Sequence, residues 1–335
     1  MLNSLFQSRQ FGLLVLALII IVLPFGLQND FHYDIAIQMG LIAATVVGLN
    51  LLVGFAGQIS LGHAAFFGVG AYLSAIMTGV YGWSPIPVLL LAAVVVGIIA
   101  FVVGRPILRL KGHYLSMATL AVGFIIYIII NNERWITGGP DGIVVPSLSL
   151  FGAELNVFNE YQILGMTLSG TFLWYVLAGV LLLLAVWIAQ NIIDSPIGRA
   201  LRSVHGSEVA ARVVGVDTAR FKSMVFVISA VYASIMGSFY AHYTGFITPQ
   251  IASFEHSIVL ITMVVLGGMA STLGVILGVV VLKLLPQVLA DFQEMEMMMF
   301  GLILMLTMIF MPKGLLPTFV GLGRKYLRKK PEEGV

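Results

Sequence analysis

The sequence predicts an all-α protein: a polytopic transmembrane helical bundle of about ten spans, some broken or short, with both termini cytoplasmic. Three observations predict it. The first is composition: of 335 residues, 59% are hydrophobic and 10% charged, and the mean hydropathy is +1.04. A soluble domain carries about 25% charged residues, so this chain has too little polar surface to coat a globule in water. The second is a run of apolar segments near bilayer length, and the third is a loop charge pattern that alternates between them. The chain 1–335 reads as one transmembrane domain.

Crossing ~30 Å of hydrocarbon takes a helix of about 20 apolar residues. Ten segments qualify or come close: 10–28, 35–54, 62–79, 85–104, 113–131, 166–190, 223–243, 254–268, 274–290 and 296–312. The first lacks a small-x-small cleavage pattern near its end and is expected to be retained as a span. The separations at 57–62 and 267–274 are the weakest, because glycine interrupts apolar sequence there without a charged loop. Each fits a tight turn between two spans or a break inside one.

Loop charges orient the segments. Arg105, Arg109 and Lys111 follow segment four; Arg199, Arg202, Arg212, Arg220 and Lys222 follow segment six. Arg9 precedes the first segment, and Arg324, Lys325, Arg328, Lys329 and Lys330 follow the last. The positive-inside rule places all four groups in the cytoplasm. The loops with Asp30 and Asp34, with Glu133, Asp141, Glu154 and Glu160, with Glu255, and with Asp291, Glu294 and Glu296 then fall outside. Ten crossings satisfy every assignment. Trp83, Trp135 and Trp174 near outer ends and Trp187 near an inner end suit interfacial anchors.

The outer loop region 132–165 opens with turn signals in TGGPDG, and its runs 143–150 and 155–158 are expected to pair as a hairpin. The cytoplasmic loop 191–222 reads as two short helices. Ser195 caps the first with Pro196 at its opening position, and Gly206 ends it. Ser207 caps the second, Glu208 places a carboxylate at its positive end, and Gly215 suits a left-handed residue past its last turn. Asp217 or Thr218 caps the helix beyond. Such a stiff element suits docking of another protein; an ordinary connector is the plainer alternative.

Several chemistries lack their residues. No segment holds an Asp or Glu away from its ends, where Glu255 and Asp291 lie, whereas ion-coupled carriers keep ionisable groups in mid-membrane. His63, His242, His256 and Lys283 remain as intramembrane titrating groups, a lone histidine being more often simply hydrogen-bonded. No G-x-x-x-x-G-K-[ST] and no H-E-x-x-H occurs, so neither a P-loop nor that metal spacing is present. The small formal charge of +2 comes mainly from loops and tail and points to topology, not to nucleic acid. With no cysteine there is no thiol nucleophile or disulfide. A membrane protein without its own energy source, but with a structured inner loop, suggests that a partner supplies the work.

A conduit needs polar groups where the backbone is irregular, since lipid tolerates such backbone only inside protein or beside a wet cavity. Asn50, Gln58, Ser60 and His63 around the first glycine-rich break, and Ser271 and Thr272 at the second, are the translocation-path candidates. Close helix packing through the glycines is the plainer alternative.

These passages resemble a known family. GLNLLVGFAGQISLGHAAFFGVGAY (48–72) is similar to the opening signature of branched-chain amino acid permeases of ATP-binding-cassette importers. LKGHYLSMATLAVG (110–123) and TGGPDGI (137–143) look like the next signatures of the M-type subunit. IGRALRSVHGSEVAARVVGVDTARFK (197–222) resembles the ATPase-docking loop, and LGGMASTLGVILG (266–278) and PKGLLP (312–317) fit the C-terminal pattern. Departures stand at His113, Ser116, His205-Gly206 and Ala270-Ser271, and they bear on the solute more than on the class.

The resemblance implies a multi-pass protein of the bacterial inner membrane, without covalent chemistry or a cofactor of its own. It would work with a homologous H-type permease, two cytoplasmic ATP-binding subunits that hold ATP and magnesium, and an extracytoplasmic binding protein delivering Leu, Ile or Val. Gly198, Arg199, Arg202, Glu208, Ala211 and Gly215 would then form the ATPase-coupling element. Relatives with the same general signature carry urea, short amides or other amino acids. A self-contained secondary carrier is the alternative from another class.

Overall fold

A computed structural model describes residues 9–27, 29–110, 112–150, 153–163, 166–289, 295–311, 314–319 and 321. The basic tail (Arg324, Lys325, Arg328, Lys329, Lys330), Lys111, Asp291, Glu294 and the first two residues of PKGLLP lie outside the described residues. So do positions 151, 152, 164 and 165 of the outer loop region.

Every predicted apolar segment contains a helix. In chain order these are α1 (Arg9–Val22), α2 (Asp30–Asn50), α3 (His63–Gly79), α4 (Pro85–Ile107), α5 (His113–Asn132) and α6 (Gly170–Asp194). The inner loop supplies α7 (Pro196–Gly206) and α8 (Glu208–Val213), followed by α9 (Thr218–Thr244), α10 (Phe254–Gly267), α11 (Thr272–Leu289) and α12 (Glu296–Phe310). The fold is mostly helical.

Among the described residues six helices are long and apolar enough to cross a membrane: Asp30–Phe55, Pro85–Ile107, His113–Asn132, Gly170–Asp194, Thr218–Thr244 and Thr272–Leu289. α3 has 17 residues, α10 and α1 have 14, and α12 has 15. For α1 the cause is Pro24, the second residue of a 3-10 turn at Leu23–Phe25, which ends the regular helix.

Two buried helices organise the bundle. α9 packs against α3, α4 and α2, while α2 packs against α6, α9 and α11. Small residues permit this closeness: a Cβ at Gly48 of α2 would stand 2.5 Å from the Cβ of Tyr232 on α9. Tyr232 in turn donates its hydroxyl to the carbonyl of Ala185 on α6 at 3.0 Å, tying three helices together. The outer helices α4 and α5 leave one face uncovered, with Phe124, Ile125 and Ile129 about half exposed.

The two glycine breaks resolve differently. At 267–274 the chain makes a tight turn, and α11 packs back on α10, so a Cβ at Gly278 would lie 3.0 Å from Gly267 Cα. At the first break α2 passes into a π-helical turn, Leu51–Phe55, closed by the Gln58 N–H donating to the Leu52 carbonyl at 3.1 Å. Residues 56–62 are then irregular, and α3 is carried across to α9 and α4.

The outer region departs from the expected hairpin. β1 (Ile143–Val144) pairs with β6 (Phe246–Ile247), not with the strand that follows it. β2 (Leu148–Leu150) pairs with β3 (Ala153–Leu155), and β4 (Glu160–Ile163) with β5 (Met166–Ser169). Pro146 divides the run 143–150, because it has no N–H to offer a ladder. β5 also corrects segment six, which begins at Gly170 once the Ser169 hydroxyl accepts the Phe172 N–H at 3.2 Å. Trp174 is no interfacial anchor: it is wholly buried, edge-on to Tyr243. Trp83, Trp135 and Trp187 are exposed.

Candidate functional site

The inner loop folds as its capping residues dictate. The Ser195 hydroxyl accepts the Ile197 N–H at 3.1 Å, with Pro196 opening α7, and Ser207 accepts the Ala210 N–H at 3.2 Å to open α8. Asp217 caps α9, accepting the Arg220 N–H at 3.1 Å. Between α8 and α9, Gly215 takes a left-handed φ of +86°, which a residue with a Cβ adopts only under strain. That reversal folds α9 back along α8. The Arg212 Nε donates to the Thr218 hydroxyl at 2.9 Å across it.

The six coupling candidates divide by exposure. Gly198 is buried where α7 meets the end of α6, and a Cβ there would collide with the Ile193 carbonyl. Ala211 is buried under α8, while Arg199 and Arg202 face outward and Gly215 is exposed at the reversal. Val209, Val213 and Val214 are exposed as well, giving α8 an apolar outer face. Glu208 does more than face the positive end of its helix. Its Oε1 accepts from Lys222 Nζ at 2.6 Å, and Lys222 is 2% exposed, so this carboxylate is the counter-ion of a buried cation on α9. Arg212 stands 3.6 Å from the other oxygen.

The path candidates differ in burial and in partners. Asn50, Gln58, Ser60 and His63 are buried, and Ser271 and Thr272 half-buried. Asn50 joins the two breaks: its Oδ1 accepts the Ala270 N–H at 3.0 Å. Ser271 accepts the Gly274 N–H at 3.1 Å and so caps the start of α11. His63, the first helical residue after the first break, has its Nε2 3.3 Å from the Ser229 hydroxyl on α9. The Ser60 hydroxyl is buried without a hydrogen-bond partner among the described residues.

The irregular stretch 56–62 is braced by side chains. Thr119 accepts the Leu61 N–H at 3.1 Å, Ser257 accepts the Ala64 N–H at 3.0 Å, and Ser116 donates to the Ile59 carbonyl at 3.3 Å. Gly57, at φ +66°, faces the His205 ring of α7, where a Cβ would stand 3.2 Å from Nδ1. A crevice of about 280 Å³ lies here, lined by Gln58, Ser116, His113, His205 and Glu208 among others. Gln58 and Glu208, one from each candidate set, therefore share one cavity.

One polar chain escaped the sequence reading. Asp34, assigned to a loop, lies in the second turn of α2, where it accepts from Tyr243 of α9 at 2.5 Å and from Gln38 at 3.0 Å. Gln38 in turn accepts from Lys283 of α11 at 3.3 Å. The i,i+4 spacing of Asp34 and Gln38 was the available signal.

A mostly helical protein with six membrane-length helices among the described residues and a capped, exposed loop element has the build of a transport permease. The chain belongs to the family described as "Branched-chain amino acid transport system / permease component", which matches residues 32–311. It is 34% identical over 92% of its length to the high-affinity branched-chain amino acid transport system permease protein LivM of Salmonella typhimurium, covering 75% of that protein. LivM of Escherichia coli gives the same identity and coverage. The LivH permease protein of Escherichia coli is 28% identical over 82% of this chain and 90% of its own. No solved structure matches.

Proposed function

We propose that this chain is the membrane permease subunit of an ATP-binding-cassette importer that moves Leu, Ile and Val into the cytoplasm. The observation that carries the reading is its 34% identity, over 92% of its length, to a permease protein named for branched-chain amino acid transport. The similarity to both LivM and LivH fits a pathway completed by a second, homologous permease. On this reading the chain crosses the bacterial inner membrane ten times, the four shorter helices included, and both termini are cytoplasmic.

Two ATP-binding subunits would grip α7 and α8 from the cytoplasm, and a binding protein would deliver solute to the outer region around 132–165. ATP and magnesium belong to those partners; this chain transmits force and forms the conduit. Closure of the ATPases pushes on the exposed face carrying Arg199, Arg202 and Val213. The push passes to α9 through Glu208 and Lys222, and to the irregular stretch 56–62 through His205 and Gly57. Because α2 and α9 fill the bundle centre, shifting their inner ends alters access to the path.

Uptake of labelled leucine in cells deleted for this chain tests the reading. Expression of the chain restores uptake, and excess isoleucine or valine, but not urea, suppresses it. Suppression by urea or a short amide alone would assign the solute differently.

A further inference from the structure

A crevice of about 730 Å³ lies between the C-terminal end of α4 and the first turns of α9. Its lining is of two kinds. Phe101, Leu108, Met224, Val227 and Ile228 supply its apolar part, and Arg105, Arg109 and Arg220 its basic part. Asp217 is the one carboxylate in the lining, and it is engaged in capping α9 through the Arg220 N–H. Among the described residues none of the three arginines forms an ion pair; the Arg105 guanidinium lies over the Phe101 ring, 4.4 Å from its centroid. Ser223 adds a hydroxyl that is buried and without a hydrogen-bond partner among the described residues.

Three arginines against one carboxylate beside an apolar slot, at the cytoplasmic ends of two membrane helices, match a ligand with an anionic head and a hydrocarbon tail. The N-terminal turn of α9, which Asp217 caps, borders the same place. We propose that this crevice binds one anionic phospholipid, its phosphate held by Arg105, Arg109 and Arg220 and an acyl chain laid along Met224, Val227 and Ile228. A soluble phosphate would use the arginines and leave the apolar part uncovered, which is why a lipid is the better occupant. The bound lipid would brace α4 against α9 beside the inner loop.

Native mass spectrometry of the full chain, loaded with equal phosphatidylglycerol and phosphatidylcholine, tests this. The expected result is retention of one phosphatidylglycerol in preference to phosphatidylcholine. Each guanidinium near the surface is worth about fivefold in such binding, so Arg105→Gln with Arg109→Gln lowers retention roughly 25-fold. Arg199→Gln with Arg202→Gln removes the same charge away from the crevice and leaves retention within about twofold. Arg105→Lys with Arg109→Lys keeps the charge and most of the binding, which separates the effect from misfolding. Equal loss in both glutamine pairs, equal retention of the two lipids, or displacement of the lipid by inorganic phosphate would overturn the assignment.

Discussion

Glu208 Oε1 and Lys222 Nζ lie 2.6 Å apart, joining the first turn of α8 to the first turns of α9. Lys222 is 2% exposed, so removing its partner leaves an uncompensated charge inside the protein. Breaking a fully buried pair destabilises by 3–5 kcal/mol, and the partial exposure of Glu208 puts Glu208→Gln at about 3 kcal/mol. Adding Lys222→Met removes the stranded charge and recovers most of that loss. Thermal denaturation of the purified variants measures both; an unchanged midpoint in Glu208→Gln would mean that the pair holds nothing.

Asn50 accepts the Ala270 N–H at 3.0 Å and is 1% exposed. Asn50→Ala leaves that amide without an acceptor, at a cost of about 1–3 kcal/mol. Faster hydrogen exchange at Ala270 is the local signature, and protection equal to the wild type would contradict the link between the two breaks.

Ala270 is left-handed at φ +60°, the single non-glycine residue in that region among those described. Ala270→Gly relieves the Cβ crowding and stabilises the protein by about 0.5 kcal/mol, after the greater freedom of glycine in the unfolded chain is subtracted. A lower melting temperature would show that the alanine methyl is packed to advantage.

Glycines differ in what surrounds them. A Cβ at Gly123 of α5 would stand 2.6 Å from Gly62 Cα, whereas one at Gly206 would meet nothing within 4 Å. Gly123→Ala is therefore expected to destabilise by about 1–3 kcal/mol through overpacking. Gly206→Ala is expected to be neutral or slightly stabilising. Thermal denaturation of the pair ranks them, and equal effects would contradict the packing at the first break.

What local chemistry controls was legible in the sequence. Ser195, Ser207 and Asp217 cap the helices expected of them, and Gly215 makes the reversal, because each acts within three or four residues of itself. The apolar segments likewise mark the helices. Long-range pairings were not legible. β1 finds β6 some hundred residues on, and Trp174 is buried by Tyr243 of α9, so neither partner can be read from the local pattern. Glu208 stood out for its place at a helix start, while its ion pair depends on how α9 folds back. Asp34 was hidden by its position at the apolar edge, where one more helical turn moves it from loop to bundle.

The central claim is that this chain conducts solute only when other subunits drive it. Labelled leucine accumulation in proteoliposomes measures that most directly, comparing the chain alone under an ion gradient with the chain alongside a second permease, ATP-binding subunits, binding protein and ATP. The account predicts accumulation only in the complete, ATP-supplied system. Leucine concentrated by the chain alone under the ion gradient would contradict it.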